Sequence, residues 1–157
     1  MINIGDKIPE VLGTDEVGRE ITRESLKGTK VLLYFYPKDN TSGCTAEACS
    51  LRDGISELQD AGYQVIGVSK DGAKSHQRFK EKYSLPFPLI ADTSTELNQA
   101  FGVWIEKSMY GRKYYGTERS TFVIDEDGIV CAVIKGKDIK TSTHAQQLLQ
   151  IINELDK

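Results

Sequence analysis

The sequence predicts an α/β protein built on a mixed sheet. Two apolar runs, VLLYFY ending at Tyr36 and QVIGVS from Gln64 to Ser69, read as buried strands, and each precedes residues at helical spacing. Ser120–Asp125 (STFVID) and Ile129–Lys135 (IVCAVIK) flank Asp127-Gly128, a strong antiparallel hairpin signal. Alternating strands and helices call for parallel pairing, and a hairpin added to them makes the sheet mixed.

Met1 to Ser25 mixes polar residues with short apolar pairs; Gly13-Thr14-Asp15 and Glu16-Val17-Gly18 are turn material, and Ile21 begins a short strand. An N-terminal hairpin or extended arm is expected. Gly28 precedes the strand Lys30–Tyr36, which Pro37 ends because it has no N–H for a central ladder. A polar loop, Lys38 to Gly43, leads into a helix from about Cys44 to Asp60, with Gly62 as its stop. Cys44, Ala48, Leu51, Ile55 and Leu58 alternate by four and three and define its buried stripe. A charged helix is expected from Asp71 to Tyr83, with Phe79 and Tyr83 on one face and His76 on a solvated surface. Pro86 and Pro88 force extended backbone before a short strand, Pro88 to Ala91. A short helix from Thr95 to Phe101 is capped by Asp92 or Ser94. Val103 to Tyr115 carries Trp104, Met109, Tyr110, Tyr114 and Tyr115 among glycines and lysines and reads as a loop or hairpin over the core. Cys131 is expected to pack as core. Ala145, Leu148, Leu149 and Ile152 mark a closing helix.

With 157 residues the chain is long enough for a full core, and one domain, 1–157, is expected. A net charge of −3 favours neither nucleic acid nor an anionic membrane surface. No apolar stretch reaches bilayer-spanning length, and MINIGDKIPE lacks a basic region followed by an apolar run. A cytoplasmic protein is expected. Three cysteines do not make a disulfide framework in a chain this size, so a disulfide would be transient and catalytic. Cys44, Cys49, Cys131, His76 and His144 are too scattered to read as a metal-ligand cluster.

The chemistry points to Cys44. A free thiol has a pKa of about 8.5, and its thiolate is the nucleophile. The first turn of a helix offers unpaired N–H groups and the positive end of the dipole, which stabilise an anion there. Thr41, three residues earlier, can hydrogen-bond whatever sits over the sulfur. Cys49 lies roughly 140° around the helix from Cys44, and ideal geometry separates the two Cα atoms by about 9 Å. A disulfide needs less than about 7 Å. Either the bond never forms or it forms after the first turns unwind.

Pro37, Thr41 and Cys44 match the Pro-x-x-x-Thr/Ser-x-x-Cys pattern, and on them the chain resembles the peroxiredoxins. NTSGCTAEACSLRD, EKYSLPFPLIAD and GTERSTFVID are similar to the Q-type branch, the bacterioferritin comigratory proteins, along nearly the whole chain. Ser42 stands where that branch commonly has proline, which makes the loop less rigid. The resemblance implies a thioredoxin-like fold with an N-terminal extension and a thiol-dependent peroxidase acting on hydrogen peroxide and organic hydroperoxides. It implies Cys44 as the attacking thiolate, Arg119 as a guanidinium on sulfur and peroxide, Thr41 bonding the peroxide and Pro37 shielding the pocket. Glu47, one turn after Cys44, would orient Arg119. Cys49 would resolve the sulfenic acid as a Cys44–Cys49 disulfide, with thioredoxin or a glutaredoxin-like donor as reductant and no metal, haem or flavin. The branch tends to be monomeric or weakly dimeric. Aromatic residues of 103–115 would form an apolar rim admitting organic peroxides. A rival reading is a thiol–disulfide oxidoreductase without peroxidase activity, for which Cys-x-x-Cys is the usual spacing.

Overall fold

The computed structural model describes residues 1–156. Its centre is a five-stranded sheet in the order β5-β4-β3-β8-β9, formed by β3 (Lys30–Phe35), β4 (Tyr63–Ser69), β5 (Leu89–Ala91), β8 (Ser120–Ile124) and β9 (Val130–Lys135). β4 pairs in parallel with β3 and β5, while β8 runs antiparallel to β3 and β9. Two separate ribbons flank the sheet: β1 (Val11–Thr14) with β2 (Glu20–Thr22), and β6 (Trp104–Met109) with β7 (Arg112–Thr117).

The uninterrupted apolar run of β3 follows from burial on both faces. Leu32, Tyr34 and Tyr36 turn to one side and pack with Cys44, Ala48 and Leu51 of α1 (Ser42–Asp53) and Leu58 of α2 (Ile55–Asp60). Phe79 of α3 (Ala73–Tyr83) and Ala145, Leu148 and Ile152 of α5 (His144–Leu155) complete that layer. Val31, Leu33 and Phe35 turn to the other side, against Leu12 and Ile21 of the N-terminal ribbon and Leu97 of α4 (Glu96–Ala100). Asp92 caps α4, accepting from the N–H groups of Leu97 and Asn98 at 3.1 and 2.8 Å.

The helix expected from Cys44 to Asp60 is two helices that meet at Gly54. A Cβ on Gly54 would come within 2.7 Å of the Ala145 Cβ, so the missing side chain is what lets α5 pack against this joint. The packing at this joint involves a partner far along the chain.

His76 corrects the expected solvated position: it is fully buried. It shares the inward face of α3 with Phe79, three residues on. Its Nε2–H donates to the Ile90 carbonyl at 2.9 Å, and Nδ1 lies 2.7 Å from Asp39 Oδ2. Asp39 also accepts from the Tyr36 hydroxyl at 2.5 Å and the Ser75 hydroxyl at 2.8 Å. This cluster ties the loop after β3 to α3. Cys131 corrects the expected core position, being only half-buried. Ile124 pairs with Val130 and Val123 with Ala132, so Cys131 is the extra residue of a β-bulge and is lifted out of register.

Burial alone would depress the His76 pKa, but the hydrogen bond and charge of Asp39 outweigh it and hold the imidazole above its ordinary value. A raised folded-state pKa contributes stability that is fully present below the unfolded value of about 6.5 and is lost as pH rises through the folded one. His76→Leu should therefore destabilise the protein by roughly 3 kcal/mol at acidic to neutral pH, because it strands the Asp39 carboxylate. In urea titrations against pH, the gap between wild type and variant should narrow as pH rises.

Candidate active site

Three elements converge on Cys44. The strand β3 ends at Phe35, and Pro37 turns the chain into a short loop held down by Asp39. Thr41 adopts extended backbone as the residue before α1, and its carbonyl accepts the Thr45 N–H at 2.8 Å. Ser42 is the first helical residue, a place where the missing N–H of a proline would cost nothing. Cys44 thus sits in the first turn of α1, where backbone N–H groups lack intrahelical partners.

The third element is the segment joining β7 to β8, which carries Arg119. Its carbonyl accepts the Gly136 N–H at 2.8 Å, which fixes the backbone. The guanidinium divides its donors: Nη2 reaches Cys44 Sγ at 3.4 Å and Nη1 reaches Glu47 Oε1 at 2.6 Å. Gly43 permits this approach, since a Cβ there would stand 3.3 Å from Nη2. Cys44 is 1% exposed and the Arg119 side chain 18%, so water is largely excluded from the contact.

Glu47 is fully buried on the inner face of α1, one turn after Cys44. Burial pushes its carboxyl up to about 7, against the opposing pull of Arg119. Its Oε2 and the Tyr34 hydroxyl have no hydrogen-bond partner among the described residues. Burial, then the nearby Glu47 and Cys44, hold the Tyr34 phenol well above its ordinary value. Lys107 of β6 donates to the Thr117 carbonyl. Burial, then the Arg119 charge, holds its ammonium below the usual lysine range, while Cys44 acts in the opposite sense.

The structure thus brings Cys44, Arg119 and Glu47 into contact. Thr41 lies at the exposed edge, with its hydroxyl proton given to the Lys38 carbonyl at 2.9 Å. Its oxygen is left to accept a hydrogen bond rather than donate one. Pro37 is half-buried at the end of β3. Cys49 is half-buried in the same intact helix, and all three cysteines are free thiols. Met109, Tyr110 and Tyr115 project from the β6–β7 ribbon into solvent at 57, 100 and 58% exposure.

Sequence reasoning missed Tyr34, Lys107 and His144. Tyr34 alternates with Leu32 and Tyr36 on the inward side of β3, and His144 stands four residues before Leu148 on the buried stripe of α5, so periodicity held a signal for both. Nothing in the sequence marks Lys107. Among the described residues no group of three His, Cys, Asp or Glu side chains is placed to hold a metal ion. No helix among them is long and apolar enough to cross a membrane.

The AhpC/TSA family model matches residues 4–133. The chain is 38% identical to peroxiredoxin Bcp of Bacillus subtilis over 156 residues, 99% of this chain and 98% of that one. Among solved structures, a PrxQ cysteine mutant from Xylella fastidiosa superposes with a TM-score of 0.89 at 30% identity, covering 100% of this chain and 99% of that one. The bacterioferritin comigratory protein of Xanthomonas campestris gives a TM-score of 0.85 at 33% identity, covering 97% and 100%. On the family match over most of its length, these relatives and the thioredoxin-like mixed sheet, the chain belongs to the AhpC/TSA family, among the Bcp/PrxQ peroxiredoxins, and is a thiol peroxidase.

Proposed function

We propose that this peroxidase reduces hydrogen peroxide and organic hydroperoxides through Cys44, closes an intramolecular Cys44–Cys49 disulfide, and is returned to the dithiol by thioredoxin or a glutaredoxin-like donor in the cytoplasm. The observation that carries the reading is the Arg119 guanidinium, 3.4 Å from the Cys44 sulfur and pinned at 2.6 Å to Glu47. The Xanthomonas campestris relative is described for alkyl peroxide reduction, which supports including organic substrates here.

The Cys44 thiolate attacks the hydroxyl oxygen of the peroxide. The S–O bond forms as the O–O bond breaks, giving a sulfenic acid and an alkoxide or hydroxide that takes a proton and leaves as alcohol or water. Negative charge passes from sulfur to the leaving oxygen. A guanidinium held beside the sulfur stabilises the negative charge as it passes to the departing oxygen, in a site where partial burial of Arg119 reduces solvent screening. Glu47 takes one edge of the fork, so the other is already aimed when substrate arrives. Thr41 offers a hydroxyl oxygen to the peroxide O–H, and Pro37 shields the loop side.

Resolution requires α1 to open. Cys44 and Cys49 occupy opposite sides of one continuous helix, and its geometry holds them too far apart to bond. Once the first turns unwind, the Cys49 thiolate attacks the sulfenic sulfur, hydroxide leaves and takes a proton, and the disulfide is made. A dithiol donor then exchanges with that disulfide and becomes oxidised itself. Local unfolding of a segment this short lies within the range of native-state fluctuations.

Cys44→Ser should abolish peroxide consumption, whereas Cys49→Ser should consume about one peroxide per chain and stall without added thiol. Thioredoxin-driven turnover undiminished in Cys49→Ser would remove the resolving role. Arg119→Leu should slow Cys44 oxidation by about 100-fold or more, the usual loss for one donor aimed at developing charge. Arg119→Lys keeps the charge but lacks the fork that serves sulfur and carboxylate together, so its rate should fall between the two. Stopped-flow fluorescence of Trp104, the single tryptophan, reads both.

A further inference from the structure

We propose that His144 is a positioning residue of the peroxidase site: it shares one proton with Glu47 across the α1–α5 contact, and through Glu47 it keeps the Arg119 guanidinium on the Cys44 sulfur. The proposal rests on the peroxidase reading of Cys44.

The tautomer follows from the hydrogen bonds. Gln147 Oε1 accepts from the Lys140 N–H at 2.9 Å, and Gln147 Nε2 donates to the Asp138 carbonyl at 2.8 Å. That fixes the amide with its oxygen 3.0 Å from His144 Nδ1, so Nδ1 carries a proton. The other ring nitrogen, Nε2, lies 2.8 Å from the Thr121 hydroxyl and 3.5 Å from Glu47 Oε2. Both side chains are fully buried, and Oε2 is one of the two buried polar atoms with no partner among the described residues.

With Nδ1 protonated, Nε2 accepts from the Thr121 hydroxyl, and without a further proton Glu47 Oε2 faces that nitrogen with no donor between them in a dry interior, which is unfavourable. One proton, on either atom, converts that opposition into a hydrogen bond and closes the gap. The charged and titratable groups facing the pair are Arg119 before β8, Cys44 on α1 and Tyr34 on β3; Thr121 and Gln147 are neutral. Burial pushes Glu47 up to about 7 and His144 down to about 4, so the proton sits on the carboxyl side and leaves as pH rises through about 7. The same junction holds α5 to α1 through the Ala145 N–H, which donates to the Ser50 hydroxyl at 3.1 Å.

Nuclear magnetic resonance of the reduced wild-type protein, with histidine nitrogens and glutamate carboxyl carbons labelled, tests the shared proton without any turnover. The chain has two histidines, so His144→Gln assigns them. His144 Nδ1 should stay protonated from about pH 5 to 9 while Nε2 and the Glu47 carboxyl change together in one transition. A Glu47 carboxyl that is ionised throughout, or that titrates without Nε2, overturns the proposal. In kinetics, His144→Leu should slow Cys44 oxidation by about 10-fold below that transition, as expected for a misplaced guanidinium. His144→Gln, whose amide can donate to Oε2 without titrating, should restore most of the rate and abolish the pH dependence near 7. A His144→Leu enzyme with the wild-type rate and pH profile would show that the ring only packs. Loss of peroxidase activity in the wild type would instead count against the Cys44 reading and leave the spectroscopic result standing.

Discussion

One guanidinium holds the site together. Arg119 spans from the Cys44 sulfur to the Glu47 carboxyl group, and each neighbouring feature is arranged to keep it there. Gly43 clears its path, Gly136 fixes its backbone, and partial burial against a fully buried sulfur and carboxyl limits how far water weakens its charge. The sulfur and the carboxylate both lie on α1, one turn apart, so the fork recognises the helix as well as the thiol. In the proposed mechanism this is why folding of α1 and activation of Cys44 are one event.

That helix carries two opposed demands. In the proposed mechanism it must be formed to present Cys44 to Arg119, and it must open for Cys49 to reach the sulfenic sulfur. The structure concentrates its restraints in a few places: Cys44, Ala48 and Leu51 in the core, Glu47 on Arg119, and Ser50 on the first turn of α5. The break at Gly54 separates α1 from α2, so opening of the first turns need not propagate beyond the joint where Ala145 packs. On the loop side, the buried cluster of Asp39, His76, Tyr36 and Ser75 anchors the chain before Thr41. In that mechanism the part that opens is confined between two anchored ends.

Much of this was legible in the sequence where the cause is local. The strands of the central sheet stand out because burial on both faces demands unbroken apolar runs, and the β8–β9 hairpin because Asp127-Gly128 suits a tight turn. Cys44 after Pro37 and Thr41 marks a strand-to-helix transition within eight residues. What was not legible depends on distant partners. The close approach of α5 at Gly54 depends on Ala145, the burial of His76 on Asp39, and the displacement of Cys131 on a bulge in the β8–β9 register. Arg119 and Glu47 entered by resemblance, since nothing within either segment indicates the other. Periodicity marks His144 as a buried position of α5, but two of its partners, the Glu47 carboxyl and the Thr121 hydroxyl, lie on other elements and leave no local signal.

The most direct test of the central claim is the intact mass of the reduced protein after one equivalent of hydrogen peroxide, with the modified residues located by peptide mapping. The account predicts a loss of two hydrogens confined to Cys44 and Cys49, with Cys131 still a free thiol. A product that retains added oxygen on Cys44 with Cys49 unmodified, or a disulfide that engages Cys131, would contradict it.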